Sequence, residues 1–118
     1  MTSQVNSFYF VCRSDWGQKP KIERALLDGS ERAAIITTKI RWPNGLAIDT
    51  KESKLYFGDG FEHTVEWCRF DGSQRTLLIK DKAMYIFGFT LLDDWIYFRS
   101  VGLLLCLSDT KITIFSTN

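Results

Sequence analysis

Few side chains in this sequence are suited to metal binding or nucleophilic chemistry: there are three cysteines and one histidine. Cys12, Cys68 and Cys106 are widely separated, no Cys-x-x-Cys pair or Cys/His cluster occurs, and His63 has no visible metal-binding companion. A zinc site needs several such ligands close together, so we predict no metal and no cofactor and assign His63 to a solvated loop. No carboxylate pair or nucleophile–base pair stands out either. The pattern favours a binding protein over an enzyme.

Length and composition are those of a folded domain. The chain has 118 residues, of which 45% are apolar and 25% charged, and its formal net charge is +1. This balance excludes a largely disordered chain and gives no reason to expect nucleic acid or an anionic membrane surface as a partner. The apolar runs at residues 8–12 and 101–107 are too short for a signal peptide or a membrane span. We therefore predict no membrane insertion by this segment.

An internal repeat organises the chain. Residues 22–39, IERALLDGSERAAIITTK, align with residues 65–82, VEWCRFDGSQRTLLIKDK, at an offset of 43. Continued to residue 49, the register gives eight identities over 28 positions, where average composition would give about one or two. The repeated Glu23/Glu66 and Arg32/Arg75 positions suggest that these side chains have a structural role in each copy.

The repeat predicts short strands and not helices. Asp28-Gly29 and Asp71-Gly72 stand in the middle of the two copies. A glycine inside a helix costs about 1 kcal/mol, whereas Asp-Gly is a strong signal for a hairpin turn. The copy in which the sequence signals are clearer then has strands at residues 43–49, 54–58, 63–70 and 74–79. Four strands in about 40–45 residues make one blade of a β-propeller. We expect an all-β fold with one nearly complete blade and parts of two others.

The repeat sequences resemble the class B repeats of the low-density lipoprotein receptor family, whose signature is Tyr-Trp-Thr-Asp. The segments concerned are DWGQKPKIERALLDGSER, WPNGLAID, KLYFGD and DGSQR, and residues 56–59 read Tyr-Phe-Gly-Asp, a near match to the signature. Residues 80–98 are similar to the Wnt co-receptor members. The resemblance covers residues 14–98 and implies two to three blades of a six-bladed ring, so we expect the chain to be a fragment of a longer receptor.

Both ends of the chain depart from the family pattern. The signature position reads Cys-Arg-Ser-Asp at residues 12–15 and Tyr-Phe-Arg-Ser at residues 97–100, and no Asp-Gly turn follows where the register requires one. We therefore predict a non-repeat N-terminal extension at residues 1–13, propeller blades at 14–99 and a divergent C-terminal tail at 100–118.

Strand order assigns the connecting loops to two opposite faces. Successive antiparallel strands reverse direction, so residues 15–20, 41–44, 59–63 and 85–87 share one face, and the Asp-Gly turns lie on the other. The resemblance implies ligand contacts on the first face, and aromatic side chains with nearby polar groups suit such contacts. The predicted ligand-binding residues are Trp42, Asn44, Asp59, Tyr85 and Phe87. Structural roles remain open for four of them: inter-blade packing for Trp42 and Phe87, a turn cap for Asn44, and inter-blade hydrogen bonding for Asp59.

The family resemblance implies the function as well. The parent protein would be a single-pass membrane receptor with this segment on its extracellular side, where it binds protein ligands of the Wnt-pathway ligand or antagonist class. The alternative is a hydrolase, because lactonase- and strictosidine-synthase-like propellers resemble the chain at residues 43–49 and place a metal on the central axis. Asn44 would be a metal ligand in that case, but Phe87 occupies the equivalent place in the next blade.

Overall fold

A computed structural model describes residues 2–5, 8–13, 19–82, 88–92, 95–100, 103–108 and 111–116, with side chains for Phe10, 19–82 and 95–97. The strands are β1 (Thr2–Val5), β2 (Phe8–Arg13), β3 (Lys21–Leu26), β4 (Ala33–Ile36), β5 (Pro43–Asp49), β6 (Lys54–Asp59), β7 (Thr64–Arg69), β8 (Thr76–Lys80), β9 (Gly88–Leu92), β10 (Trp95–Ser100), β11 (Leu103–Ser108) and β12 (Lys111–Ser116). These parts of the chain contain no helix, and so none that could cross a membrane.

The strands form three four-stranded antiparallel sheets, in each of which every strand pairs with its neighbour in sequence. The first sheet is β1 to β4, the second β5 to β8 and the third β9 to β12. This arrangement is that of propeller blades and confirms the all-β prediction. The second sheet matches the predicted strands closely.

The outer sheets have more strands than the sequence indicated. Strands β1 and β2, from residues 1–13, complete the first sheet, and β11 and β12, from residues 100–118, complete the third. Phe10 of β2 is fully buried. The domain boundaries at residues 13 and 99 stay a prediction about sequence relationship, since strand pairing does not test it.

The Asp-Gly turns have the same geometry in both copies of the repeat. Asp28 Oδ1 accepts the main-chain N–H of Ser30 at 2.9 Å and its hydroxyl at 2.5 Å, and Asp71 Oδ1 accepts the same groups of Ser73 at 2.9 and 2.6 Å. These bonds hold the pKa of both carboxyl groups below the ordinary value. The glycine that follows each aspartate has a φ of 85° or 87°, a conformation that glycine adopts without the steric cost of a side chain.

Two apolar cores lie between the sheets, because side chains alternate between the faces of each strand. In β6, Leu55 and Phe57 point to one face and Tyr56 to the other. The core shared by the first and second sheets consists of Phe10, Ile22, Ile36, Ile40, Leu46, Leu55, Phe57 and Cys68. The second core, towards the third sheet, consists of Ala47, Tyr56, Val65 and Ile96.

The register of the second sheet defines its two ends. Pro43 pairs with Asp59, Asp59 with Thr64 and Thr64 with Lys80 at what we call the upper end. The lower end lies where Asp49 and Arg69 both pair with Lys54. Trp42 immediately precedes the upper end and the Asp71-Gly72 turn follows the lower end, so the predicted separation of these two regions is confirmed.

Candidate functional site

Asp59 organises the upper end of the second sheet. Its carboxylate accepts four main-chain N–H groups, from Arg41 at 2.7 Å, Trp42 at 3.2 Å, Phe61 at 2.9 Å and Glu62 at 2.9 Å. The first two belong to the connection between blades and the last two to the turn after β6. Asp59 is only 1% exposed, so its charge is balanced by these donors and not by water. One buried carboxylate thus fixes two loops against each other.

The loops held by Asp59 present an exposed cluster, which we call the aromatic platform: Trp42, Phe61 and Arg41. The two rings meet edge to face with centroids 5.1 Å apart, and they remain 51% and 44% exposed. The Arg41 guanidinium lies over the Phe61 ring, 4.8 Å from its centroid. Within residues 19–82 no carboxylate forms an ion pair with Arg41. The platform therefore combines an apolar surface with a stacked cation.

A main-chain hydrogen bond also joins the two loops of the platform. The N–H of Gly60 donates to the carbonyl of Trp42 at 2.9 Å, so the connection and the turn are joined through both backbone and side chain. At the next blade connection the N–H of Asp81 donates to the carbonyl of His63 at 3.0 Å. His63 itself lies in the turn with a φ of 59° and is partly exposed, as expected of a loop residue.

The predicted site residues fall into three groups. Trp42 and Asn44 are exposed, and Asn44 stands at the point where the β5–β6 register shifts between Pro43 and Gly45. Such a bulge redirects a side chain at the end of a strand. Asp59 lies beneath the exposed loops and has almost no surface of its own for a ligand. Tyr85 and Phe87 lie outside the described residues.

Two members of the platform were not singled out from the sequence. Phe61 and Arg41 fall within the loop ranges assigned to this face, but neither stands at a repeated position. Their importance comes from the contact between rings 19 residues apart in sequence, which depends on the four bonds to Asp59. The sequence offered one signal for this contact, an aspartate that two loops could share. The groups that donate to its carboxylate are main-chain N–H groups, which do not depend on residue type, so the sequence does not show which residues they belong to.

The repeated glutamates and arginines form ion pairs inside the blades, as the repeat suggested. Glu66 accepts two bonds from Arg75, each at 2.9 Å, and Glu23 accepts bonds from Arg32 at 2.9 and 2.5 Å. Burial raises the pKa of Glu23, but bonds from Arg32 and from Lys21 outweigh it and leave that pKa lowered overall. Each pair joins the third strand of its blade to the segment that leads into the fourth.

Comparison with known proteins identifies the repeat. The family model for low-density lipoprotein receptor repeat class B matches residues 14–50. This chain carries class B repeats of the low-density lipoprotein receptor type. A human low-density lipoprotein receptor-related protein 5-like protein is 46% identical over 86 residues, which is 73% of this chain and 34% of that protein. The vitellogenin receptor Yl of Drosophila melanogaster is 34% identical over 84 residues, or 71% of this chain and 4% of the receptor.

The class B repeats here adopt the propeller fold seen in solved structures. A chain of the nidogen/laminin complex superposes with a TM-score of 0.83 at 24% identity, covering 98% of this chain and 45% of the other. A gluconolactonase of Xanthomonas campestris superposes with a TM-score of 0.79 at 14% identity, covering 98% and 45%. A chain of the nidogen/laminin complex and an enzyme thus share this blade arrangement. This chain spans about a third or less of the length of the two receptor relatives.

Proposed function

We propose that this chain is part of the ligand-binding propeller of a receptor and that the aromatic platform is its contact surface. The observation that carries the proposal is the exposed Trp42–Phe61 pair fixed by Asp59. A folded domain gains nothing in stability from leaving two large aromatic rings half exposed, since burying such a ring is worth roughly 1.5–3 kcal/mol. Their exposure is explained if a partner covers them.

The platform has the properties of a binding hot spot. Tryptophan and arginine are enriched among the residues that dominate interface energies, and rings held in place lose little conformational entropy when a partner binds. Asp59 supplies that rigidity through main-chain bonds and not through surface contact. We therefore keep Asp59 in the proposed site as its organising residue, with Trp42 and Asn44 as contact residues beside Phe61 and Arg41.

The partner we propose is an extracellular protein of the Wnt-pathway ligand or antagonist class. The support is the 46% identity to a low-density lipoprotein receptor-related protein 5-like protein and the sequence similarity at residues 80–98. This proposal implies that the segment lies on the extracellular side of a single-pass membrane receptor. Tyr85 and Phe87, on the next blade connection, are proposed to extend the contact surface.

Binding assays with matched variants test the proposal. Immobilised chain is exposed to purified secreted Wnt proteins and Wnt antagonists, and binding is compared for the unmodified chain, Trp42→Ala, Phe61→Ala and Lys51→Ala. Lys51 is an exposed residue of the turn at the lower end, so it is the control. We expect saturable binding of at least one ligand, weakened about tenfold, or about 1.4 kcal/mol, by either platform variant and unchanged by Lys51→Ala. Equal affinity in all four proteins would reject the platform as the site.

A propeller hydrolase remains the second candidate because the gluconolactonase shares the fold. That structural likeness has only 14% identity and so concerns the fold alone. Hydrolysis of glucono-lactone is measured with and without added calcium, with Asn44→Ala as the site variant. We expect no turnover above background. Calcium-dependent hydrolysis that Asn44→Ala abolishes would establish the enzyme instead.

A further inference from the structure

Most arginines in residues 19–82 direct their guanidinium groups at acceptors within the chain. Arg75 shows this most fully, because it bonds Glu66 and also donates to the carbonyls of Thr38 and Lys39 at 2.6 and 2.9 Å. These two carbonyls belong to the connection that leaves strand β4 of the first sheet. The other arginines that donate to a carboxylate, amide or carbonyl oxygen are Arg24, Arg32 and Arg69.

Arg41 departs from this pattern. Its guanidinium lies over the Phe61 ring, 4.8 Å from the centroid, and among the described residues it has no oxygen acceptor. Glu62 follows Phe61 in the same turn and yet forms no ion pair with Arg41. A guanidinium carries its N–H donors around its rim, and stacking on a ring leaves that rim open. Arg41 therefore presents donors that no described residue uses.

The backbone and the side chain of Arg41 are both held in place. Its main-chain N–H donates to the buried carboxylate of Asp59 at 2.7 Å. Its side chain rests on Phe61, whose own main-chain N–H donates to the same carboxylate at 2.9 Å. A long side chain that is already ordered loses less entropy when a partner binds. Arg41 is therefore suited to receive an acceptor at a fixed place beside the two rings.

On the basis of the proposed function, we propose that the aromatic platform binds an acidic segment of its partner protein. In this segment an Asp or Glu carboxylate pairs with the Arg41 guanidinium, and a nearby apolar side chain packs on Trp42. A planar guanidinium offers paired N–H donors that match the two oxygens of a carboxylate. Such a pair is stronger where neighbouring rings exclude water, so the apolar and charged contacts support each other.

The Phe61 ring sets the spacing of the two groups that the segment needs. It contacts the Arg41 guanidinium at 4.8 Å and the Trp42 ring at 5.1 Å, each measured to its centroid. In an extended chain, side chains two residues apart point to the same side and stand about 7 Å apart. We therefore expect the acidic and apolar residues of the partner segment within about two positions of each other.

A sulfated glycan matches this surface less well than an acidic peptide does. Polyanions are bound by clusters of lysine and arginine, whereas Arg41 is the one cation of the platform and Glu62 follows Phe61 directly. A single carboxylate opposite a single guanidinium needs no such cluster. Heparin is accordingly the probe for the competing occupant.

Selection from a random peptide library tests the proposal without a known ligand. A phage-displayed library is selected on the immobilised chain and counter-selected on Trp42→Ala, so that the peptides retained require the platform. We expect these peptides to carry Asp or Glu within about two positions of an apolar residue. Synthetic copies in which that acid is replaced by its amide should bind the unmodified chain about tenfold more weakly.

Variants of Arg41 show which group binds the carboxylate. Arg41→Gln keeps the main-chain N–H that Asp59 accepts and removes the charge, so it should bind acidic peptides about tenfold more weakly and no longer distinguish them from their amides. Arg41→Lys keeps the charge without the paired donors and should lie between the two. Lys51→Gln, at the lower end, is the control and should match the unmodified chain. Added salt should weaken acidic peptides on the unmodified chain and not on Arg41→Gln.

The outcomes separate this proposal from the proposed function. Peptides that require Trp42 and Phe61 but bind Arg41→Gln undiminished, or that show no preference for acid over amide, would overturn the acidic partner and leave the platform as a contact surface. Recovery of no peptide that depends on Trp42 would overturn both. Heparin binding that Arg41→Gln abolishes, without any preference for acidic peptides, would replace the acidic segment with a polyanion.

Discussion

The carboxylate of Asp59 accepts the main-chain N–H of Trp42 at 3.2 Å, in the loop that leads into the same blade. Because this buried carboxylate accepts three further N–H groups, Asp59→Ala removes the acceptor of four partly buried hydrogen bonds, and a donor left unpaired away from water costs about 1–3 kcal/mol. We expect the free energy of unfolding to fall by about 3 kcal/mol or more, measured by denaturant titration.

Asp49→Ala is the matched control for Asp59. Asp49 accepts the N–H groups of Lys51 and Glu52 in an exposed turn at the lower end, where water replaces a lost acceptor. We expect a loss of about 1 kcal/mol or less. Similar losses in the two variants would show that Asp59 does not organise the upper end.

The two turn glycines should respond differently to the same substitution. Alanine at either position meets the cost of a left-handed backbone, about 1–2 kcal/mol. At Gly72 the new Cβ also collides with the Ile35 carbonyl at 2.2 Å, whereas at Gly29 it meets open space. We expect Gly72→Ala to lower the free energy of unfolding by about 1–3 kcal/mol more than Gly29→Ala does. Equal effects would place the two turns in equivalent surroundings and contradict the blade contact.

Arg75→Ala should destabilise the chain more than Arg32→Ala. Loss of Arg75 leaves the buried Glu66 carboxylate without its ion-pair partner and removes two hydrogen bonds to the first sheet. Breaking a buried ion pair costs about 3–5 kcal/mol. Arg32 is half exposed and Lys21 remains 3.0 Å from Glu23 after its removal, so about 1 kcal/mol or less is expected. Denaturant melts of both variants measure the difference, and the reverse ranking would refute the assignment.

The thiol of Cys68 should resist alkylation in the folded chain. It is fully buried, and burial raises its pKa to about 12, so the reactive thiolate is scarce at neutral pH. We expect iodoacetamide to label the peptide containing Cys68 slowly in buffer and rapidly in denaturant, as followed by mass spectrometry. Equal rates in the two conditions would show that the core around Cys68 is open.

The same shift makes a prediction about alkaline stability. The folded state holds the neutral thiol more strongly than the unfolded state does, because the pKa rises from 9.0 to about 12 on folding. The stability that the neutral Cys68 thiol contributes to the folded state is therefore fully present below pH 9 and is lost as the pH rises from 9 towards 12. Thermal melts of Cys68→Ser should therefore show a smaller loss of stability between pH 9 and 12 than melts of the unmodified chain.

The strands of the second sheet could be predicted because local signals agree there. Alternating apolar residues on either side of Asp71-Gly72 leave one arrangement that buries both faces, and β5 to β8 follow it. The signals are weaker at the ends of the chain. The sequence does not assign Phe10 to a blade. Its burial depends on contacts with Phe70 and with other residues of the first core, which lie far from it along the chain.

The site was predictable as a region but not as a set of contacts. Strand direction alone placed Trp42 and Asn44 at the upper end. The exposure of Phe61 and its contact with Trp42 follow from four hydrogen bonds to main-chain atoms, and any residue type would supply those donors. Asp59 was predicted as a ligand contact from the family resemblance, with inter-blade hydrogen bonding as the alternative role. Its carboxylate does bond the connection between blades, whereas its burial depends on how two loops close over it.

Arg75 binds carbonyl oxygens, and every residue carries one. The contact between blades at this point is therefore indifferent to the side chains of the partner blade, which can change without weakening it. A unit that recognises its neighbour through the shared backbone can be copied, reordered or joined to a unit of different sequence and still fit. The repeat at an offset of 43 residues indicates that a blade was duplicated, and a contact made through main-chain carbonyls permits such a duplication.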